Sequence, residues 1–310
     1  MVINTIVFPI IRPDLIRTAL ETLYRYTPPN FDVIVIDQSP NGIDKDIIDK
    51  YVKVYIRPYR NLGFAKATNT GFRLADTKYV TTCNDDVEFI GDWWDGIVKT
   101  FDKVDKATPD KPCLMVNPSS AKLPDWSVGK PRGEHHYIIP YKEFYTLEDY
   151  QFLLDEPHFV NEHLTINPDT VIDGVACYCS VFKKEYLDRV GLFDERYYPG
   201  GGEDYDLGCR ANMMGYRTVG TTLSYVFHHW SKSFSSLQEQ KEIKALVDQE
   251  RCWNNHAEIW GEGRHDLWGA KCYVCDKNMK VINIDEYPMY AICPDNHRKY
   301  KMPTVEKVPL

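Results

Sequence analysis

No apolar run in this chain approaches the roughly 20 residues that a membrane-spanning helix needs. The longest stretches, residues 33–36 and residues 6–11 with Pro9 inside them, fall far short, so nothing marks the chain as an integral membrane protein. A surplus of positive charge is missing too: 37 Lys and Arg stand against 45 Asp and Glu, a formal net charge of -8 with a pI near 5.6. Nonspecific affinity for polyphosphates comes mainly from clustered Lys and Arg, so a general nucleic-acid surface is disfavoured, and only a local basic patch stays open. Residues 1–9 lack the basic region and small-residue cleavage pattern of a signal peptide and read as a first strand, which points to the cytoplasm. No internal repeat is evident. With 18 Gly and 19 Pro in 310 residues, the composition is neither fibrous nor disordered, and the length suits one large domain plus a small one.

Cysteine is too sparse in most of the chain for a disulfide scaffold. Five of the nine are scattered through the first 210 residues, whereas Cys272, Cys275 and Cys293 fall close together. In a reducing compartment such clustering points to metal rather than to disulfides.

What is present, from residue 4 to about 104, is an alternation of β-like and helix-like segments. Residues 4–9, 31–37, 53–57 and 79–83 are short apolar runs, and 12–26, 65–74 and 92–104 carry helical spacing, as with Leu15, Ala19, Leu20 and Leu23. Strand and helix in alternation imply crossovers and a largely parallel sheet covered on both faces. Sheets of that kind bind ligands at the carboxyl ends of their strands. Three polar clusters occupy such places: Asp37, the triplet Asn84-Asp85-Asp86, and the loop Gly200-Gly201-Gly202-Glu203-Asp204. Residues 119–170 break the alternation with a Pro-, His- and Tyr-rich insertion, read as a lid or specificity loop in which Trp126, His135, His136 and Tyr137 could stack on an acceptor sugar or simply pack.

Oxygen-bearing side chains gathered at a strand end suit a hard cation, since Mg2+ and Mn2+ prefer carboxylate oxygens and leave positions open for phosphate. A solvated acidic turn is the bland alternative for Asn84-Asp85-Asp86. The wider pattern weighs against it. In order, residues 5–12, Asp37, the stretch Arg60-Asn61-Leu62-Gly63-Phe64-Ala65-Lys66-Ala67-Thr68-Asn69-Thr70-Gly71 and the acidic triplet resemble the nucleotide-sugar half of family 2 glycosyltransferases. Residues 174–184, Gly191-Leu192-Phe193-Asp194-Glu195 and residues 201–217 are similar to that family's acceptor half. The resemblance spans about residues 3–232.

It implies a GT-A domain over 1–231: an α/β fold with a Rossmann-like, mixed but mainly parallel sheet flanked by helices. It further implies an inverting transferase that moves a hexosyl or related sugar from a nucleoside-diphosphate-sugar to an acceptor hydroxyl. Asp37 would contact the donor's base or ribose, with Pro9 and Asn61 lining the same pocket and Lys66 and Asp85 beside it. Asp86 matches the metal-binding Asp. Asn84 stands where a first Asp is common, so either Asp85 contributes or a Mn2+ or Mg2+ ion is held less tightly. His228, aligning slightly better than His229, would complete that ion's site, and one of the two could instead pack or cap the strand end. Asp204 matches the general base of inverting members and is paired with Glu203; such a base is worth about 10²- to 10⁴-fold. The glycines ahead of it allow positive φ and close approach to a sugar or phosphate.

After a helical extension at 232–268, Cys272-x2-Cys275-x17-Cys293-x3-His297 presents four ligands at spacings suited to one structural zinc, with Cys252 and His256 as possible substitutes. These half-sites bracket a predicted hairpin over 280–290, so residues 269–302 read as a small zinc-ribbon-like module, and 303–310 as a tail. The acceptor is open between a glycan, a lipid-linked sugar, a protein and a modified nucleic acid. Two other functions compete. A processive polysaccharide synthase is disfavoured, because Gln249, Arg251 and Trp253 sit at the wrong spacing and no membrane span is present. A catalytically inactive GT-A-like protein could bind carbohydrate or nucleic acid and use its zinc module for recognition.

Overall fold

The structure is a computed structural model that describes residues 2–120, 171–173, 177–228, 280–282, 290–292 and 299–301. A nine-stranded mixed sheet dominates. In chain order its elements are β1 (Asn4–Ile10), α1 (Ile16–Tyr26), β2 (Phe31–Asp37), α2 (Lys45–Tyr51), β3 (Val54–Ile56), α3 (Gly63–Leu74), β4 (Tyr79–Cys83), β5 (Val87–Phe89), α4 (Trp93–Ala107), β6 (Cys113–Ser120), β7 (Val171–Asp173), β8 (Cys179–Lys183), α5 (Lys184–Val190), α6 (Glu203–Met213) and β9 (Arg217–His228). The strands lie in the order β3-β2-β1-β4-β8-β6-β9-β5, and β7 pairs with β9.

Strand β1 is buried along its whole length, as a strand covered on both faces must be. Its side chains alternate between two cores. Ile6, Phe8 and Ile10 join Leu20 and Leu23 of α1 and Trp93, Ile97 and Phe101 of α4, while Val7 joins Ala67 and Phe72 of α3 and Leu207 of α6 on the opposite face. Pro9 has no N–H to give, and it is tolerated because the ladder to β4 ends at Val7, leaving only the pairing to β2 alongside it.

A mainly parallel sheet is half right. The pairs β1-β2, β2-β3, β1-β4 and β6-β9 are parallel, whereas β4-β8, β6-β8, β5-β9 and β7-β9 are antiparallel. The alternation behind that expectation ends at α4. Strand β8 then enters between β4 and β6 in the opposite sense, which makes both its pairings antiparallel at once. Helix α2 and strand β5 carry too few residues to show a period and are not legible in the sequence.

Three further strands, β10 (Lys280–Ile282), β11 (Tyr290–Ile292) and β12 (Lys299–Lys301), form an antiparallel sheet, with Lys280 opposite Ile292. The proposed zinc ligands Cys272, Cys275, Cys293 and His297, the alternates Cys252 and His256, the residues read as helix at 232–268, and most of the 119–170 insertion lie outside the described residues. Among the described residues no helix is long and apolar enough to cross a membrane.

Candidate active site

Strand ends gather the polar clusters at one edge of the sheet. Asp37 closes β2 and is fully buried. Its Oδ1 accepts the Ser39 N–H at 2.8 Å and its Oδ2 accepts the Tyr55 hydroxyl at 2.6 Å. Burial first, and then Asp37, push the Tyr55 phenol above its ordinary range. Arg57, also from the β3 side, donates to the carbonyls of Ser39 and Pro40, so β3 laces down the turn that follows Asp37. Nearby, Gln38 accepts the Leu62 N–H at 2.7 Å, and Asn61 accepts the Gly63 N–H at 2.8 Å at the start of α3. Lys66 is exposed on α3 with its ammonium 3.8 Å from Glu195.

The acidic triplet divides its labour. Oδ2 of Asp85 accepts the N–H groups of Ile11 and Arg12 at 3.1 and 2.9 Å, which ties the end of β1 to the end of β4. Asp86 instead meets His228, with 3.0 Å between its Oδ1 and Nε2. The pairing of β5 with β9 is responsible, since Val87, next after Asp86, lies directly opposite His228. The Asn84 amide stands 3.4 Å from the same imidazole nitrogen. Both Asp86 and His228 are buried. His229 lies outside the described residues.

No group of three or more His, Cys, Asp or Glu side chains is arranged for a metal among the described residues. Asp86, His228 and Asn84 bring one carboxylate, one imidazole and one amide side chain to this strand end, the Asn84 contact being through its amide nitrogen. Carboxylate and imidazole are ligand types that Mn2+ would accept more readily than Mg2+.

Asp204 sits in the first turn of α6, which opens directly after Gly202 with φ at 92°, a left-handed conformation that glycine adopts without strain. Three carboxylates, on Glu203, Asp204 and Asp206, fall in that first turn, where the positive end of the helix dipole favours them. Glu203 is buried and accepts the Gly201 N–H. Burial above all, and then the charge of Asp204, push its carboxyl up to about 8. Asp204 is partly exposed, accepts the Tyr205 N–H at 2.9 Å, and is pushed up to about 6 by burial against the opposing pull of backbone N–H groups that include Cys177. Burial thus raises both carboxyls, Glu203 further than Asp204.

Asp86 touches His228, and the ring of His228 stacks on Tyr178 with centroids 4.9 Å apart. Cys177, the residue before Tyr178, is among the backbone groups that pull the Asp204 carboxyl down. Across the other face, Asn69 of α3 holds Phe193 at both backbone positions, donating to its carbonyl at 2.8 Å and accepting its N–H at 3.1 Å. The loop after α5 is thus clamped to the helix that follows β3. Gly63 completes the contact: an added Cβ would lie 2.8 Å from the Pro199 carbonyl, whose oxygen accepts the Phe64 N–H. Asn69→Ala leaves two buried backbone groups of Phe193 unpaired, and a stability loss of roughly 1–3 kcal/mol is expected in a denaturant titration. Sequence reading passed over Tyr55, Asn69 and Tyr178 as functional residues. Each works through a partner distant in the chain. Asn69 and Tyr178 did carry a signal, their membership of the 60–71 and 174–184 motifs, and Tyr55 carried none.

Residues 6–121 match the family model described as Glycosyl transferase family 2. Over 234 residues the chain is 23% identical to the O-antigen biosynthesis protein RfbC of Myxococcus xanthus, an alignment that covers 72% of this chain and 17% of that protein. The chain therefore spans about a sixth of the curated relative it matches. Among solved structures it is similar to the mannosyltransferase PcManGT of Pyrobaculum calidifontis in complex with GDP-Man and Mn2+, at 18% identity and a TM-score of 0.46, covering 76% of this chain and 60% of that one. It is also similar to S. aureus TarS 1-349 in complex with UDP, at 11% identity and a TM-score of 0.49, covering 83% and 70% of the two chains. The stretch from β1 through β6, which carries Asp37 and the triplet Asn84-Asp85-Asp86, is the part of this chain that matches Glycosyl transferase family 2.

Proposed function

We propose that this chain is an inverting glycosyltransferase that moves a sugar from a nucleoside-diphosphate-sugar to an acceptor hydroxyl, with Asp204 as general base and Asn84, Asp86 and His228 around a divalent cation. The observation that carries this reading is the meeting of Asp86 and His228, 3.0 Å apart beside Asn84, with Tyr178 stacked on the same imidazole and Asp204 in the first turn of α6. The family match over residues 6–121 supports the donor class.

In this scheme Asp37 and the turn laced by Tyr55 and Arg57 receive the nucleoside. Asn84, Asp86 and His228 would hold a divalent cation, which when bound would supply Lewis-acid neutralisation of the leaving diphosphate worth several kcal/mol. Asp204 accepts the acceptor hydroxyl's proton as the oxygen attacks the anomeric carbon and the bond to the diphosphate breaks. One displacement inverts the configuration. Burial raises the Glu203 carboxyl beside the base, which disfavours a second negative charge there.

A thermal-shift screen of UDP-, GDP-, dTDP- and CMP-sugars, each with and without Mn2+, tests the donor site. A ligand at a hundred times its Kd stabilises the folded state by about 2.7 kcal/mol. Asp86→Ala is expected to abolish the metal-dependent part of the shift, and an unchanged shift in that variant would remove Asp86 from the site. Release of nucleoside diphosphate from the stabilising donor would separate an enzyme from a protein that only binds.

A further inference from the structure

Tyr178 lies between the two acidic centres and has no part in the chemistry proposed above. It is buried, and each of its groups is committed to a named partner. The flat face of its ring stacks on His228 at 4.9 Å with only 17° between the planes. Its carbonyl accepts the Asn84 N–H at 2.8 Å, and its hydroxyl donates to the Pro118 carbonyl on β6. Burial raises the phenol far above its ordinary range, so the hydroxyl stays a neutral donor. The backbone of the residue before it, Cys177, is among the groups that pull the Asp204 carboxyl down. Among the residues assigned to the chemistry, Tyr178 thus touches His228 with its ring and Asn84 at the backbone, and Asp86 is reached through His228. A residue that merely filled the core would not need this set of contacts.

We propose that Tyr178 is the positioning residue of the cation site: its ring fixes the plane of the His228 imidazole, its carbonyl fixes the backbone at Asn84, and its hydroxyl anchors both to β6. The assignment rests on the reading of Asn84, Asp86 and His228 as cation ligands. An imidazole coordinates only along the in-plane direction of its nitrogen lone pair, so a ring free to rotate loses part of its affinity even though the ligand is still present. Partners that orient metal ligands in this way are typically worth 10- to 100-fold in metal affinity.

The test is manganese affinity, measured by electron paramagnetic resonance of free Mn2+ in the presence of UDP and, in parallel, of GDP. Tyr178→Phe keeps the flat ring over His228 and is expected to bind manganese within about threefold of the parent chain. Tyr178→Leu removes the flat face and is expected to weaken binding about 10- to 100-fold. Should Tyr178→Leu not fold, as judged by circular dichroism, Tyr178→Met serves in its place, since methionine adapts to irregular cavities. Parent-like affinity in a folded Leu or Met variant overturns the proposal, and so does a loss in Tyr178→Phe as large as in Tyr178→Leu. If the parent chain binds no manganese with either nucleotide, the ligand assignment itself fails, a result distinct from parent binding that the substitutions leave untouched.

Discussion

Asp204→Asn is expected to lower kcat about 10²- to 10⁴-fold while leaving the affinity for the donor nucleotide within a few-fold of the parent chain. The amide matches the carboxylate in size and can still accept the N–H of Tyr205, so α6 keeps its first turn. It cannot take a proton. The pH profile supplies a second reading of the same residue. Asp204 is pushed up to about 6, and a general base works only when ionised, so the rate should fall tenfold per unit as the pH drops below about 6 and level off above 7. Asp204→Asn should lack that acidic limb. Stability moves in the opposite sense. Glu203 is pushed up to about 8, so the folded chain holds a proton that the unfolded chain releases near its ordinary value of 4.5, and stability is lost as the pH rises through that window. Initial-rate profiles and denaturant midpoints, taken over the same pH range, would separate the two effects.

Arg210→Met is expected to be the most destabilising single change away from the chemistry, at roughly 3–5 kcal/mol. Arg210 and Asp206 form an ion pair 2.8 Å apart with neither side chain exposed. The same guanidinium donates to the carbonyls of Val190, Gly191 and Leu192, and so pins the C-terminal end of α5 and the loop after it against α6. Methionine would fill much of the space but leave the Asp206 charge buried without its cation and three carbonyls without donors. The midpoint of thermal unfolding should fall by about 6–10 °C. Removing the stranded charge as well, in Arg210→Met with Asp206→Leu, should recover part of that loss, because a buried pair replaced whole costs less than a pair broken. A double variant less stable than the single would show that Asp206 has other work in the fold. The ion pair fixes the start of α6, and hence Asp204, relative to the Phe193 loop that Asn69 holds from α3.

Element types were legible in the sequence wherever a period was long enough to read. Strands β1, β2 and β4 and helices α1, α3 and α4 came out within a few residues of their observed bounds, because alternation and helical spacing are local properties of burial. The acids at strand ends, and the glycines that let α6 begin at Glu203, were legible for the same reason. Which of Asp85 and Asp86 meets His228 was not legible from local pattern, and only the resemblance pointed to Asp86. Both are buried acids at adjacent positions, and the choice turns on which is taken by the N–H groups of Ile11 and Arg12, 74 and 73 residues away.

What the sequence determined by itself, then, is an alternating α/β chain with acidic side chains waiting at the carboxyl edge of its strands and a glycine-led turn ahead of Glu203. The tertiary structure alone decided which of those groups meet. Strand β5 has three residues and no readable period, yet its register against β9 brings His228 onto Asp86 and within reach of Asn84 across 144 residues of chain. Strand β8 carries Tyr178 and Cys177 to the same edge by running against its neighbours. The physical reason is that local patterning encodes which face a side chain presents, whereas strand pairing is settled by the packing of a whole sheet, so the partners of a buried polar group are fixed only once that sheet has formed.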